Sequence, residues 1–550
     1  MHALPRTAPR NPVRKPLAAT VAACLLLAAP ATSLAASNWL VTNCNDSGEN
    51  SLRDIVDHKA ASGDSVDLSY LICGTIELTS GTITIDQKDL SLRGPESTAL
   101  VIAVNNDYPF AGHIGPVLKH DSTGTLTLSH LTITSHVDYV ESAYGGCIDA
   151  HGNLALDKVV ISNCVARSSS SWSMGGGIRV KGNLTMLDSQ VRNNGLASDS
   201  VSGWMRGGGV AVEGDLDARN SVIENNTVDS QYSAPVYGGG VWVGGNANLN
   251  GVEIRGNAAS QTSEYYGTIE GGGLSVGGDL TMVNSVVSGN VASAGQLALG
   301  GGIHATGNLV LTDVMVLDNS AIVTNTGWEY EPQDYSGGGG IWSEGPFALL
   351  RTTVAGNHAN TSAGIMLLDA TQGDQREIAN STISGNQAIT APAGIYAIIA
   401  PSIHNSTIAF NAASTASSVA GAGIRGMLGI ELESCLVSGN TNGANADDVA
   451  GPVTGSHNLI FAPGAYTVPA DTLTGIDPML GSLSINGGIT LTLPLMAGSP
   501  AIDHGANPDT QQWDQRGNGF ARVIGFSADI GAYEFNPDAL PEVIFHNGFD

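Results

Sequence analysis

Groups able to do chemistry are sparse along this chain. His113, His120, His130 and His136 lie close together in sequence, and imidazole is both a common metal ligand and a proton carrier near neutral pH. A metal site is conceivable there, although dispersed surface histidines are the plainer reading. Asp149 and Asp157 fall on one repeat unit, and Asp447-Asp448 sit in a Gly/Asn/Ala-rich stretch that reads as a solvated loop. A glycosidase needs two carboxyl groups flanking the scissile bond, and a polysaccharide lyase needs an Arg or Lys base beside an acidic cation site. Neither arrangement recurs in the sequence, so no residue is assigned a catalytic role. Near the C-terminus, Asp503, Asp514, Arg516, Asp529 and Glu534 form a charged set. Its expected role is structural: a buried ion-pair network that holds the last coil closed and keeps open sheet edges from polymerising.

The elements that position these groups are set by repetition. Between Gly145 and Asn440 one unit recurs ten times: a glycine cluster, an apolar residue, a Gly-Asn/Asp-x-Leu step and a short strand ending in asparagine. Clear copies open at Gly175, Gly207, Gly238, Gly271, Gly300 and Gly338, and weaker Ala-Gly-Ile copies at Ala363, Ala393 and Ala422. From the first glycine to the Gly of Gly-Asn/Asp is seven residues (175 to 182, 207 to 214), and to the closing asparagine 18 or 19 (175 to 193, 238 to 257). Only the return stretch varies, as in 258–270 or 320–336, and its Gly/Ser/Ala/Tyr content predicts a surface loop.

Within each unit the apolar period is two, as in Ile178-Arg179-Val180, Leu184-Thr185-Met186 and Ser221-Val222-Ile223. That is the period of strands with one buried face. Three short strands per turn cannot bury their inner faces alone, but coils stacked about 4.8 Å apart can share one core. The expected fold is all-β, a right-handed parallel β-helix with N- and C-terminal caps; the hand follows the crossover rule for parallel strands. Glycine and asparagine suit its corners because they tolerate positive φ, and stacked asparagines can hydrogen-bond from coil to coil.

Stacking also creates a file. Asp149, Arg179, Ala211, Trp242, Ser275, His304, Trp342, Met366, Tyr396 and Arg425 take the same outward position on the first strand. Of these, Trp242, Trp342, Tyr396, Arg179, His304 and Arg425 suit stacking on sugar faces or gripping a protein strand. The competing reading is that the variable loops fold back and cover the file as a satellite core.

The chain has 550 residues, 71 of them glycine, with 22 Lys+Arg against 50 Asp+Glu and a net charge of −28. Such acidity argues against nucleic acid or anionic membranes as partners. The Gly-Gly-x-Gly-x-Asp calcium repeat is missing, and neither a metal nor another cofactor is expected. Arg6, Arg10, Arg14 and Lys15, an apolar run at 17–29 and Ser33-Leu34-Ala35 predict a signal peptide over 1–35. No later stretch is apolar enough to span a membrane as a helix. In an oxidising compartment Cys44 and Cys73, which bracket the first structured segment, are expected to pair. A coil almost closes on itself, so Cys147 and Cys164 could also meet. Cys435 aligns with the inward Ser381 and Ser406 and predicts a buried free thiol.

Three stretches carry a resemblance. Cys44 through Asp54, with Ser51-Leu52-Arg53-Asp54, then Gly63-Asp64 and Gly74-Thr75-Ile76-Glu77-Leu78, resembles the Cys-Ser-Leu-Arg-Glu-Ala N-terminal segment of bacterial surface β-helix proteins. Here the Cys stands apart from Ser-Leu-Arg, and Asp54 replaces Glu. Gly498-Ser499-Pro500-Ala501-Ile502-Asp503-His504-Gly505, Asp514-Gln515-Arg516-Gly517 and Asp529-Ile530-Gly531-Ala532-Tyr533-Glu534 resemble the choice-of-anchor (type Q) domain. The middle is similar to polymorphic outer-membrane protein repeats. The resemblance implies export, a pectate-lyase-like β-helix solenoid and a role at the cell surface or outside the cell, adhesin-like and seldom tied to a reaction. The expected organisation is a signal peptide (1–35), an N-terminal cap with the first coils (38–120), β-helix repeats (121–460), a closing domain (461–536) and a tail (537–550). The expected function is non-enzymatic adhesion or interaction with surface glycans or host or matrix proteins. The alternative is a polysaccharide lyase or glycoside hydrolase working in a groove along the sheet.

Overall fold

The computed structural model describes residues 36–96, 100–105, 115–135, 140–141, 143–168, 172–198, 203–231, 234–261, 267–324, 336–368 and 376–538. The leader segment 1–35, His113, His136 and residues 544–550 lie outside the described residues. Strands of successive coils pair in parallel and in register, building a parallel β-helix. Ile178–Val180 belongs to a 13-stranded sheet 1, Leu184–Leu187 to a 15-stranded sheet 2, and Gln190–Arg192 to a 15-stranded sheet 3. Their inward residues, among them Ile178, Val180, Leu184, Met186 and Val191, join one continuous core that runs from Val41 to Ile460.

The return stretch is not simply a loop. Its first part is a strand in every clear copy, such as Gly195–Ser198, Ala258–Gln261 and Ser320–Val323, and these form a 12-stranded sheet 4. In five coils a further strand follows, including Trp204–Arg206 and Thr268–Glu270, and these make sheet 5. The two sheets enclose a second core built largely of Ala166, Ala259, Ala292, Ala294, Ala298 and Ala321 with Val228, Val236 and Ile269. The expectation of a loop fails because the period-two pattern is written in alanine. Small residues let the strands approach closely, yet they read as loop composition.

Asparagines serve two structural purposes that the spacing alone merges. Asn193 and Asn225 take φ of 54° and 54° at a corner where later coils have Gly256 and Gly289. The residue after that corner is buried and stacks. The Nδ2 of Asn194 donates to Oδ1 of Asn226 at 3.0 Å, Asn226 to Asn257 at 2.9 Å, Asn257 to Asn290 at 3.0 Å and Asn290 to Asn319 at 2.9 Å. The ladder continues through Asn357, Asn386, Asn411 and Asn440. The distance from first glycine to ladder asparagine is therefore 19 in each clear copy (175 to 194, 207 to 226, 300 to 319). Each backbone N–H also bonds the next Oδ1, so one buried amide satisfies two donors, as burial of polar groups requires.

The coil that precedes Gly175 shows the same geometry in covalent form. A Cβ on Gly177 would come within 2.9 Å of the Asn194 amide. One coil earlier those two positions are Cys147 and Cys164, which are bonded to each other. Cys44 and Cys73 are bonded as well. Cys435 is a buried free thiol, pushed up to about 12 by burial.

At the N-terminal side, helix α1 (Leu52–His58) starts at Ser51, whose side chain accepts from Asp54 N, an N-cap arrangement. It buries Leu52, Ile55 and Val56 against the first coils. The C-terminal segment first runs over the last coil, where Leu473–Thr474 adds the terminal strand of sheet 3 and Val468 packs against the core; beyond them it turns back. It lies along the flank of sheet 3: Thr353 Oγ1 donates to the Leu491 carbonyl at 2.6 Å, Asn405 Nδ2 to the Ala506 carbonyl at 2.7 Å, and Ala532 N to Thr407 Oγ1 at 3.0 Å. The outward file of sheet 3 changes to receive it, from Gln190, Val222, Glu253, Val286 and Met315 to Thr353, Thr382 and Thr407.

Candidate functional site

Each predicted residue of the sheet 1 file stands in register with its neighbours: Asp149 with Arg179, Ala211 with Trp242, His304 with Trp342, Tyr396 with Arg425. The file is nonetheless covered. Trp242 is 8% exposed, Trp342 6%, Arg179 5% and His304 1%; only Tyr396 and Arg425, beyond the last strand of sheet 5, are half-buried. Sheet 5 folds over the file as far as His304, and Trp342 and Met366 pack against Leu299 at the end of its last strand; the satellite-core reading describes this region. The Arg206 guanidinium lies 3.6 Å from the Trp204 ring centroid and 4.0 Å from that of Trp242. Burial lowers the Arg206 pKa and raises that of Tyr237. Arg179 bridges Asp149 (2.9 Å) and Glu213 (2.7 Å). His304 stands between Glu270 (Nδ1, 3.7 Å) and Glu344 (Nε2, 3.5 Å). Burial holds Glu270 above the ordinary carboxylate range, while the imidazole beside it holds Glu344 below. These contacts tie sheet 5 to sheet 1, and the buried members of the file present no free face to a ligand.

Of the predicted cap residues, Asp514, Arg516, Asp529 and Glu534 form one buried network in the flanking segment, and half-buried Asp503 joins it at the edge. Arg516 pairs with Asp514 at 2.6 Å, and its guanidinium lies 4.2 Å from the Phe520 ring and 3.9 Å from Tyr533. Fully buried Arg522, which sequence reading did not single out, meets Glu534 at 3.2 Å and donates to the Asp529 carbonyl at 2.7 Å. Asp529 Oδ1 accepts Asp503 N at 2.8 Å, and Asp503 Oδ1 accepts Phe526 N at 3.0 Å. Burial raises Asp529 and pushes Glu534 up to about 7. Asp448 is also buried, contrary to the solvated-loop expectation; burial pushes it up to about 6, and it ends the asparagine ladder. Of the sequence's histidine group, His120 and His130 are described and belong to no metal-type cluster.

Two open regions lie on the outer face of sheet 2. Thr185, Asp217, Asn248 and Thr281 stand in register on successive strands. Beside them Asn183, Asp215, Asn246 and Asp279 stack along the corner, each side chain accepting the next coil's backbone N–H at 2.8–3.0 Å. Together they line a polar groove of about 430 Å³. Three strands further along the same sheet is a second cleft of about 460 Å³, lined by Arg376, Glu377, Ser402, His404, Glu431 and Asp509. Ligand-type atoms of Glu377, His404 and Asp509 all lie within 4.8 Å of one another. Neither region was singled out from sequence. Period two in Ser402-x-His404 places both side chains on one face, but Asp509 arrives from the C-terminal segment, which carries no repeat.

No family model and no curated protein matches the chain. Among solved structures the chain is similar to one titled as the crystal structure of pectate lyase Pel9A, at 12% identity and a TM-score of 0.28, covering 91% of this chain and 96% of that one.

Proposed function

We propose that the protein is an exported β-helix with an adhesion or interaction role at or outside the cell surface, and that its ligand is an extended neutral glycan lying in the polar groove of sheet 2. The observation that carries this reading is the in-register file Thr185, Asp217, Asn248 and Thr281 beside the stacked Asn183, Asp215, Asn246 and Asp279. It repeats the same hydroxyl, amide and carboxylate chemistry at about 4.8 Å per coil, which suits a polymer offering hydroxyls at regular intervals. The two disulfides fit an oxidising compartment, and the acidic surface disfavours polyanions. The test is a glycan and matrix-protein array probed with the mature chain and with Thr185→Arg/Asn248→Arg, which fills the groove without touching the core. Loss of a glycan signal in the folded double variant is expected. An unaltered signal, or binding to matrix proteins alone, would remove the reading.

A further inference from the structure

The second cleft holds a connected chain of side chains that the binding role leaves unused. Ser402 Oγ lies 2.8 Å from His404 Nε2, and His404 Nδ1 lies 2.8 Å from Asp509 Oδ2. Both ring nitrogens are thus engaged, one by a hydroxyl and the other by a carboxylate. With its proton on Nδ1 the imidazole donates to Asp509 and accepts the serine hydroxyl, which is the polarity that activates a serine for acyl transfer. Ser402 and His404 are held on the strand Ser402–His404. Asp509 is fixed by the flanking segment, anchored where Asn405 Nδ2 donates to Ala506 O at 2.7 Å and Ala506 N donates to Ser434 Oγ at 3.0 Å. All three side chains are half-buried and border an open cleft.

We propose that Ser402, His404 and Asp509 form a nucleophile–base–orienting relay that hydrolyses short-chain acyl esters of neutral, polar alcohols, such as O-acylated sugars. Ser402 Oγ attacks the ester carbonyl carbon while its proton passes to His404 Nε2. The carbon–alkoxy bond breaks, and Nε2 returns that proton to the departing alcohol. Water then attacks the acyl-serine with Nε2 as base, releasing the carboxylic acid and restoring Ser402. Asp509 keeps the ring in the required tautomer and stabilises the imidazolium as it forms. Arg376 lines the same cleft, and a cation there would favour the oxyanion that forms. Glu377 and Glu431 stand in register on either side of Ser402 and repel carboxylate substrates, so esters of neutral alcohols are favoured over polyuronates. A carboxylate-and-imidazole cation site is the competing use of the same groups; it would need the Nδ1 lone pair that the Asp509 contact occupies with a proton.

The relay does not depend on glycan binding in the neighbouring groove. The full mature chain would be treated with a fluorophosphonate probe and assayed with p-nitrophenyl acetate and with an acetylated neutral oligosaccharide. Expected are one covalent adduct, mapped to Ser402, and a turnover that falls at least about 100-fold in Ser402→Ala and in Asp509→Asn, with melting temperatures unchanged. Absence of labelling, or turnover indifferent to Ser402→Ala, would overturn the proposal. So would calorimetric binding of Zn²⁺ that is lost in His404→Ala in a protein without turnover, which would reassign the cleft as a metal site.

Discussion

The side-chain amide of Asn440 donates to Oδ1 of Asp448 at 2.8 Å, so a run of aligned asparagine amides ends on a buried carboxylate. Every rung of the ladder points its N–H toward the next coil. The last one needs an acceptor with no onward donor of its own, which a carboxylate supplies and an amide does not. Asp448 Oδ2 in turn accepts Ala462 N at 2.7 Å.

Asp448 links stability to pH. Burial raises it from 3.8 to about 6 in the folded chain. A raised carboxyl contributes stability that is fully present below its unfolded value and lost as pH rises through its folded value. Between pH 4 and 7 the wild-type melting temperature should therefore fall relative to that of Asp448→Asn, read by calorimetry in parallel pH series. Parallel curves would show that the group does not titrate in this window.

The Cys147–Cys164 pair occupies the positions of Gly177 and Asn194 one coil later. Cys147→Gly/Cys164→Asn should extend the ladder by one rung, since its new amide faces Asn194, and, with only Cys44–Cys73 left to reduce, should lose less stability to reductant than the wild type. Cys147→Ala/Cys164→Ala, which removes the bond and puts no amide in its place, should be less stable by about 2–5 kcal/mol. Equal melting of the two double variants would contradict the equivalence.

Arg516 and Asp514 are buried together, and the carboxylate has no water to fall back on. Arg516→Ala should cost about 3–5 kcal/mol, because it strands a buried charge. The loss should be local to the flanking segment, visible as faster protease cleavage within 476–538 while the coils keep their far-ultraviolet signal. Unchanged cleavage would mean that the pair does not hold the segment.

Trp242 packs under sheet 5 with Arg206, Trp204 and Tyr237. Trp242→Ala should behave as a core truncation, costing about 3–5 kcal/mol, with lost near-ultraviolet signal from the stacked rings. A ligand-face tryptophan would show the opposite: native stability and weakened binding.

The sequence by itself determined the coil. Its period-two apolar positions and constant glycine spacing specify strands, register and a shared core, because like residues must stack once one turn is placed on the next. It also placed Arg179, Trp242, His304 and Trp342 in one file, and Cys147 near Cys164. Only the tertiary structure decided what those positions face. Alanine-rich alternation in sheet 4 and strands of two or three residues in sheet 5, both too weak to register as strand signals, fold back, burying the aromatic file and leaving sheet 2 as the open polar face. The non-repeating C-terminal segment crosses the flank, bringing Asp509 to a histidine that stands 105 positions away in sequence. Local periodicity reports which residues share a face; it holds no record of which distant segment will settle there.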